Sequence, residues 1–110
     1  MSKRVAFASS DGVNVDLHFA KASSFYIYEI DNDSFEYVGH RKQDALSKHD
    51  EDGFSETLKL IGDCKSVVVS QIGMGALAFV NSRGFRVFEA SYPIEAILQK
   101  FIEKNILKEG

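Results

Sequence analysis

Near the middle of the chain, Val67-Val68-Val69 follow one another with no polar residue between them. A strand with one wet face alternates apolar and polar side chains. An uninterrupted β-branched run instead needs cover on both faces, as a central strand of a largely parallel sheet has it. Helices must supply that cover, so the run directs the chain towards an α/β layered architecture.

The neighbouring segments fit this frame. Val5-Ala6-Phe7-Ala8 is a second apolar run, ended by the turn-forming Ser9-Ser10-Asp11-Gly12, and reads as a buried first strand. Phe25-Tyr26-Ile27-Tyr28-Glu29-Ile30 and Phe35-Glu36-Tyr37-Val38 flank Asp31-Asn32-Asp33 and predict a hairpin. The residues from Arg41 to Asp52 are too polar for a core element. Phe54, Thr57, Leu58 and Ile61 then recur at helical spacing, with Asp52 as the expected N-cap and Gly62 as the stop. After the valine run, Ala76, Phe79 and Val80 predict a helix closed by Arg83-Gly84, and Phe85 to Glu89 returns as a strand. Pro93 is expected in the first turn of a last helix whose stripe is Ile94, Ile97, Leu98, Phe101 and Ile102.

The order is β-β-β-α-β-α-β-α. Neighbouring hairpins and right-handed crossovers favour one mixed sheet with strand order 3-2-1-4-5, strand 2 antiparallel to the rest and helices on the faces, which is the ribonuclease H-like arrangement. Strands 1 and 4 would be parallel neighbours from which the chain leaves in opposite directions. Their carboxyl ends then form a switch point, where open α/β sheets make a crevice.

Composition narrows the function classes. The 110 residues suit one domain, 1–110, and 45% hydrophobic with 26% charged residues are enough for a core. A net charge of −3, with no basic run longer than Arg41-Lys42, argues against nucleic acid and anionic membrane as partners. Cys64 is the sole cysteine, so no internal disulfide, structural zinc site or thiolate-held cluster can be built from this chain. With no signal segment and no long apolar run, the expected location is cytoplasmic.

Two loops are expected at the crevice. One runs from Ser9 to Ala20 and contains Asn14, His18 and Phe19; the other is Gly73-Met74-Gly75, leading into a helix N-terminus. Backbone N–H groups and the positive end of a helix favour an anionic ligand, and the His18 imidazole is a common ligand for iron and other transition metals. The bland readings are plain loop chemistry for the glycines and a satisfied, partly buried histidine. His40 and His49 follow strand 3 on the same side of the sheet; His49 is either a second imidazole or part of a solvated charged loop. Cys64 is expected at the opposite end as a packing residue. The first strand carries no carboxylate, which counts against a two-metal nuclease. No nucleophile elbow and no Walker or dinucleotide fingerprint occurs, so no catalytic residue is expected.

Val5-Ala6-Phe7-Ala8-Ser9-Ser10-Asp11-Gly12, Val15-Asp16-Leu17-His18-Phe19 and Phe25 to Ile30 resemble the opening of the dinitrogenase iron–molybdenum cofactor biosynthesis family. His49-Asp50-Glu51-Asp52, Asp63-Cys64, Ile72-Gly73 with Ala76, Gly84 and the helix after Pro93 follow in the family's order. The resemblance implies a non-catalytic carrier in nitrogen fixation or general metallocluster assembly. Its cargo would be iron–molybdenum cofactor or an iron–sulfur precursor, passed between a cluster-assembly scaffold and an apo-dinitrogenase-type acceptor. It also implies His18 as cluster ligand. The candidate cofactor-binding set is His18, Ser9, Ser10, Asn14, Phe19, Gly73, Met74 and Gly75, and the candidate metal ligands are His18 and His49. Two alternatives stand beside it: a metal-independent interaction or regulatory module using an aromatic face at Tyr26, Tyr28 and Tyr37, and an enzyme acting on a small anionic metabolite, for which no nucleophile and no base beyond His18 is identifiable.

Overall fold

The computed structural model describes residues 3–31, 33–43 and 51–104. In chain order it contains β1 (Lys3–Ala8), a 3-10 turn (Phe19–Lys21), β2 (Ser24–Asp31), β3 (Ser34–Lys42), α1 (Glu51–Leu60), β4 (Ser66–Val69), α2 (Met74–Ser82), β5 (Arg86–Glu89) and α3 (Ile94–Glu103). The strands form one five-stranded sheet in the order β3-β2-β1-β4-β5. β2 is antiparallel to β1 and β3, whereas β1–β4 and β4–β5 are parallel. The expected strand order and directions are those observed.

The valine run sits as its composition demands. Val67 and Val69 face one side with Ala6, Ala8, Phe25 and Ile27, beneath Phe54 and Leu58 of α1 and Ala76 and Val80 of α2. Val68 faces the other side with Val5, Phe7 and Ile30, beneath Ile94, Ile97, Leu98 and Phe101 of α3. All three valines are fully buried. Each such side chain contributes roughly 1.5–3 kcal/mol through burial.

Four local expectations need correction. β3 runs to Lys42, four residues beyond the expected end at Val38, because β2 needs backbone partners along its whole length: Tyr26 pairs with His40, Phe25 with Arg41 and Ser24 with Lys42. An edge strand tolerates that polarity. His40 is therefore inside β3 and does not follow it. Asp52 lies within α1, where a helical backbone precludes the extended geometry of a cap residue. Pro93 stands just outside α3 as its N-cap, with ψ 139°, since its bridge to Asn14 requires an extended backbone.

At the amino end of β4, Asp63 accepts hydrogen bonds from Arg41 (Nη2–Oδ2 2.9 Å and a shorter Nη1–Oδ1 contact) and from Arg4. Arg4 also donates to Glu29 at 3.2 Å. The Arg41 hydrogen bond holds the Asp63 carboxyl well below the usual carboxylate range, with burial opposing and Arg4 adding to the shift. A folded-state pKa below the unfolded one means that the stabilisation is complete above about pH 4 and is lost as pH falls below it. Solvent screening limits it to about 1 kcal/mol. Asp63→Asn should lower the thermal midpoint at pH 7, and the variant and wild-type curves should approach one another progressively as pH falls below about 4, followed by circular dichroism. Parallel curves would remove Asp63 from the acid response. The neighbouring Cys64 is buried as expected, and burial pushes its thiol up to about 12.

Candidate functional site

β1 and β4 end side by side, and the loop after β1 is stitched across both ends. Asp16 and Leu17 N–H donate to Ala8 O at 3.3 Å, Ser70 N–H to Leu17 O at 3.0 Å and Phe19 N–H to Gln71 O at 2.9 Å. His18 and Gln71 thereby form a parallel bridge. Side chains on an extended segment alternate in direction. Leu17 and Phe19 accordingly pack against the core, while His18 is exposed. No hydrogen bond or ion pair engages the imidazole among the described residues, and the His18 backbone (φ −74°, ψ 147°) caps the 3-10 turn.

Phe19 was expected to line the ligand site, but it is fully buried, its ring centroid 5.5 Å from that of Phe54. It anchors the loop and presents no surface. Ser9 is also fully buried; its Oγ accepts from Gly12 N–H at 2.9 Å and from Asp11 N–H at 3.3 Å and lies 3.2 Å from Asp11 Oδ1. Ser10 is exposed, yet its N–H donates to Asp16 Oδ1 at 2.8 Å and its Oγ to Asp16 Oδ2 at 2.5 Å. Asn14 is exposed beside Pro93, and its N–H donates to Asp11 Oδ1 at 3.0 Å, as does Val13 N–H at 2.8 Å. These amides, Asn14 first, lower the Asp11 pKa. The amides of Ser10, Val13 and Asn14 are thus taken by the loop's own carboxylates and those of Asp11 and Gly12 by Ser9 Oγ, which leaves none of them for an anion.

The second loop is open. Gly73 caps α2 with no side-chain hydrogen bond, so the first helical amides have no partner from a capping side chain. Neither Gly73 nor Gly75 has a positive φ, and a Cβ on either would meet nothing within 4 Å. Their contribution is clear space over the helix start rather than backbone freedom. Met74 between them is 88% exposed, and Glu89 Oε2 accepts Ile72 N–H at 3.0 Å.

His49 lies outside the described residues. His40 stacks on Tyr26 with ring centroids 3.9 Å apart and an interplanar angle of 10°, and its Nε2 is hydrogen-bonded to Ser24 Oγ. Among the described residues no group of three or more His, Cys, Asp or Glu side chains is placed to hold a metal ion. Of the expected aromatic face, Tyr26 and Tyr28 are half-buried and Tyr37 is 52% exposed. Gln71 and Glu89 were not anticipated. Gln71 acts through its backbone, which no side-chain pattern announces, and Glu89 acts on an amide in another element.

Gly12 has φ +77°, and a Cβ there would lie 2.7 Å from Tyr26 Cε2. Gly12→Ala should therefore cost at least about 1–2 kcal/mol from backbone handedness, with the collision against the ring added, measured by urea unfolding. An unchanged midpoint would mean that the turn adopts another conformation.

A family model described as dinitrogenase iron-molybdenum cofactor matches residues 1–104. The chain belongs to that family. Among relatives of the iron–molybdenum cofactor family, the FeMo cofactor biosynthesis protein NifB of Herbaspirillum seropedicae is 28% identical over 110 residues, covering 97% of this chain and 20% of that protein. NifB of Azotobacter vinelandii is 25% identical, over 94% of this chain and 23% of its own length. The chain thus spans about a fifth of the curated relatives it matches. In fold it is similar to the crystal structure of PH0822, with a TM-score of 0.74, 24% identity and coverage of 92% of this chain and 89% of that one. It is also similar to the apo form of the orange protein from Desulfovibrio gigas, with a TM-score of 0.63, 16% identity and coverage of 93% and 88%. No helix among the described residues is long and apolar enough to cross a membrane.

Proposed function

We propose that this member of the iron–molybdenum cofactor family, built on a ribonuclease H-like sheet, is a non-catalytic carrier. Its cargo is iron–molybdenum cofactor or an iron–sulfur precursor, received from an assembly scaffold and delivered to an apo-dinitrogenase-type acceptor. The observation that carries the reading is the unengaged imidazole of His18, held by the Gln71 bridge at the sheet's carboxyl end, where α2 also begins without a capping side chain. The imidazole ligates a metal at the edge of the cluster, and the helix end attracts its negative charge. One side-chain ligand with backbone donors gives a reversible grip, which a carrier needs. Anaerobic titration with isolated iron–molybdenum cofactor should give a saturable change in the visible spectrum, and a linear, non-saturating response would overturn the carrier reading.

The helix end has a separate signature. Gly75→Glu replaces a poor helix former with a good one and puts a carboxylate in the first turn, so it should stabilise the fold by roughly 1 kcal/mol. The same carboxylate repels an anion about 4 Å away by about 1 kcal/mol even in water-like surroundings, which lowers cargo affinity about fivefold. A raised thermal midpoint together with weaker binding identifies α2 as part of the site. Binding that stays unchanged excludes it.

A further inference from the structure

We infer that the groove between α1 and the turn from α2 into β5 is a second binding site, which takes a small aromatic carboxylate. The cavity there has a volume of about 320 Å³ and is lined by Ser55, Leu58, Lys59 and Gly62, from α1 and the turn after it, and by Arg83 and Phe85, from the turn before β5. That volume is at the lower end of the roughly 300–1,000 Å³ of small-molecule sites. The parallel strands β4 and β5 begin beside these turns, so the cavity lies at the opposite end of the sheet from His18 and is independent of the carrier reading.

The cavity has an apolar floor and a cationic rim. Leu58 belongs to the buried core and Phe85 packs against that core, whereas Lys59 and Arg83 are exposed and no carboxylate lines the cavity. Lysine and arginine near helix ends commonly bond the last carbonyls. Here main-chain amides take that role: Gly62 N–H donates to Lys59 O at 3.3 Å, Arg83 N–H to Val80 O at 3.1 Å and Gly84 N–H to Asn81 O at 3.0 Å. Among the described residues no ion pair engages Lys59 or Arg83. The Arg83 guanidinium is placed instead by the Phe79 ring, 4.7 Å from its centroid. Two cations at the rim of one apolar cavity suit a ligand with a carboxylate at one end and a ring to cover Leu58 and Phe85 at the other. The neighbouring acids do not fill that place. Asp63, next to Gly62, is held by Arg4 and Arg41, and Glu56 is exposed outside the lining. Lys65, just before β4, and Arg86, at the start of β5, are exposed and add charge of the same sign as the rim.

The test is titration of the isotope-labelled full chain, without cluster, with 2-naphthoate, followed through the amide NMR spectrum. The shifts should saturate as for one site and be largest within residues 55–62 and 83–85. Lys59→Gln and Arg83→Gln should each weaken binding about fivefold, the effect of removing one charge about 4 Å from a carboxylate, while their spectra remain those of the folded protein. The uncharged 2-naphthamide should bind the wild-type chain at least about tenfold more weakly, and Lys100→Gln, on α3, should bind naphthoate like wild type. Shifts that do not saturate or that centre on another region overturn the site, as do equal affinities for acid and amide or wild-type affinity in both Lys59→Gln and Arg83→Gln. None of these outcomes bears on cluster binding at His18.

Discussion

Replacing His18 with alanine is expected to weaken binding of iron–molybdenum cofactor by at least about 100-fold, or ~2.7 kcal/mol, while the fold is unaffected. The large effect follows from the absence of a substitute. The side chains of Ser9 and Ser10 are committed to the loop's own turns, Asn14 carries only a neutral amide, a poor ligand for iron, and Phe19 is inside the core. Loss of the imidazole leaves only the helix end, which attracts charge without ligating metal. Stability should change by no more than about 0.5 kcal/mol, since the side chain is exposed and the bridge to Gln71 uses backbone atoms that alanine retains. Parallel anaerobic titration and urea unfolding separate the two quantities. Binding that survives the substitution would move the ligand elsewhere.

Phe19→Ala should show the opposite pattern, with a loss of about 3–5 kcal/mol of stability, because a fully buried ring against Phe54 leaves a cavity when it is truncated. A domain of ordinary stability would retain little folded population. Phe19→Leu keeps most of the volume and should cost under about 1.5 kcal/mol while preserving cargo affinity. Denaturant unfolding measures the first effect and cluster titration the second. If Phe19→Leu lost binding while keeping its stability, the ring would have to touch the cargo after all.

The two adjacent residues differ so much because of a contact remote in sequence. Leu17-His18-Phe19 reads as apolar-polar-apolar, and that alternation acquires meaning only if the segment is extended. The Gln71 bridge makes it so, and its partner lies far along the chain. Ser9 and Ser10 illustrate the same limit. Their residue types suit either an anion cradle or a self-satisfied turn, and the direction of Asp11 and Asp16 decides between these. Glycine at positions 73 and 75 would suit a left-handed turn by residue type, but neither φ is positive, and the empty space above them is what they contribute. In the fold, the errors fell at element ends: the polar extension of β3, the start of α1 at Asp52 and the position of Pro93. The end of β3 and the position of Pro93 are set by pairing partners, β2 and Asn14, rather than by local propensity.

Buried periodicity specified the layers and the strand order. An unbroken valine run can be covered in few ways, and the order of strands and helices leaves few connections, so both were determined by the sequence itself. It also singled out His18 and the start of α2. The tertiary structure alone decided which loop donors remained free and that His18 points outward while Phe19 points inward. Those outcomes depend on hydrogen bonds and contacts between segments far apart in the chain, whose directions no local pattern of residue types encodes.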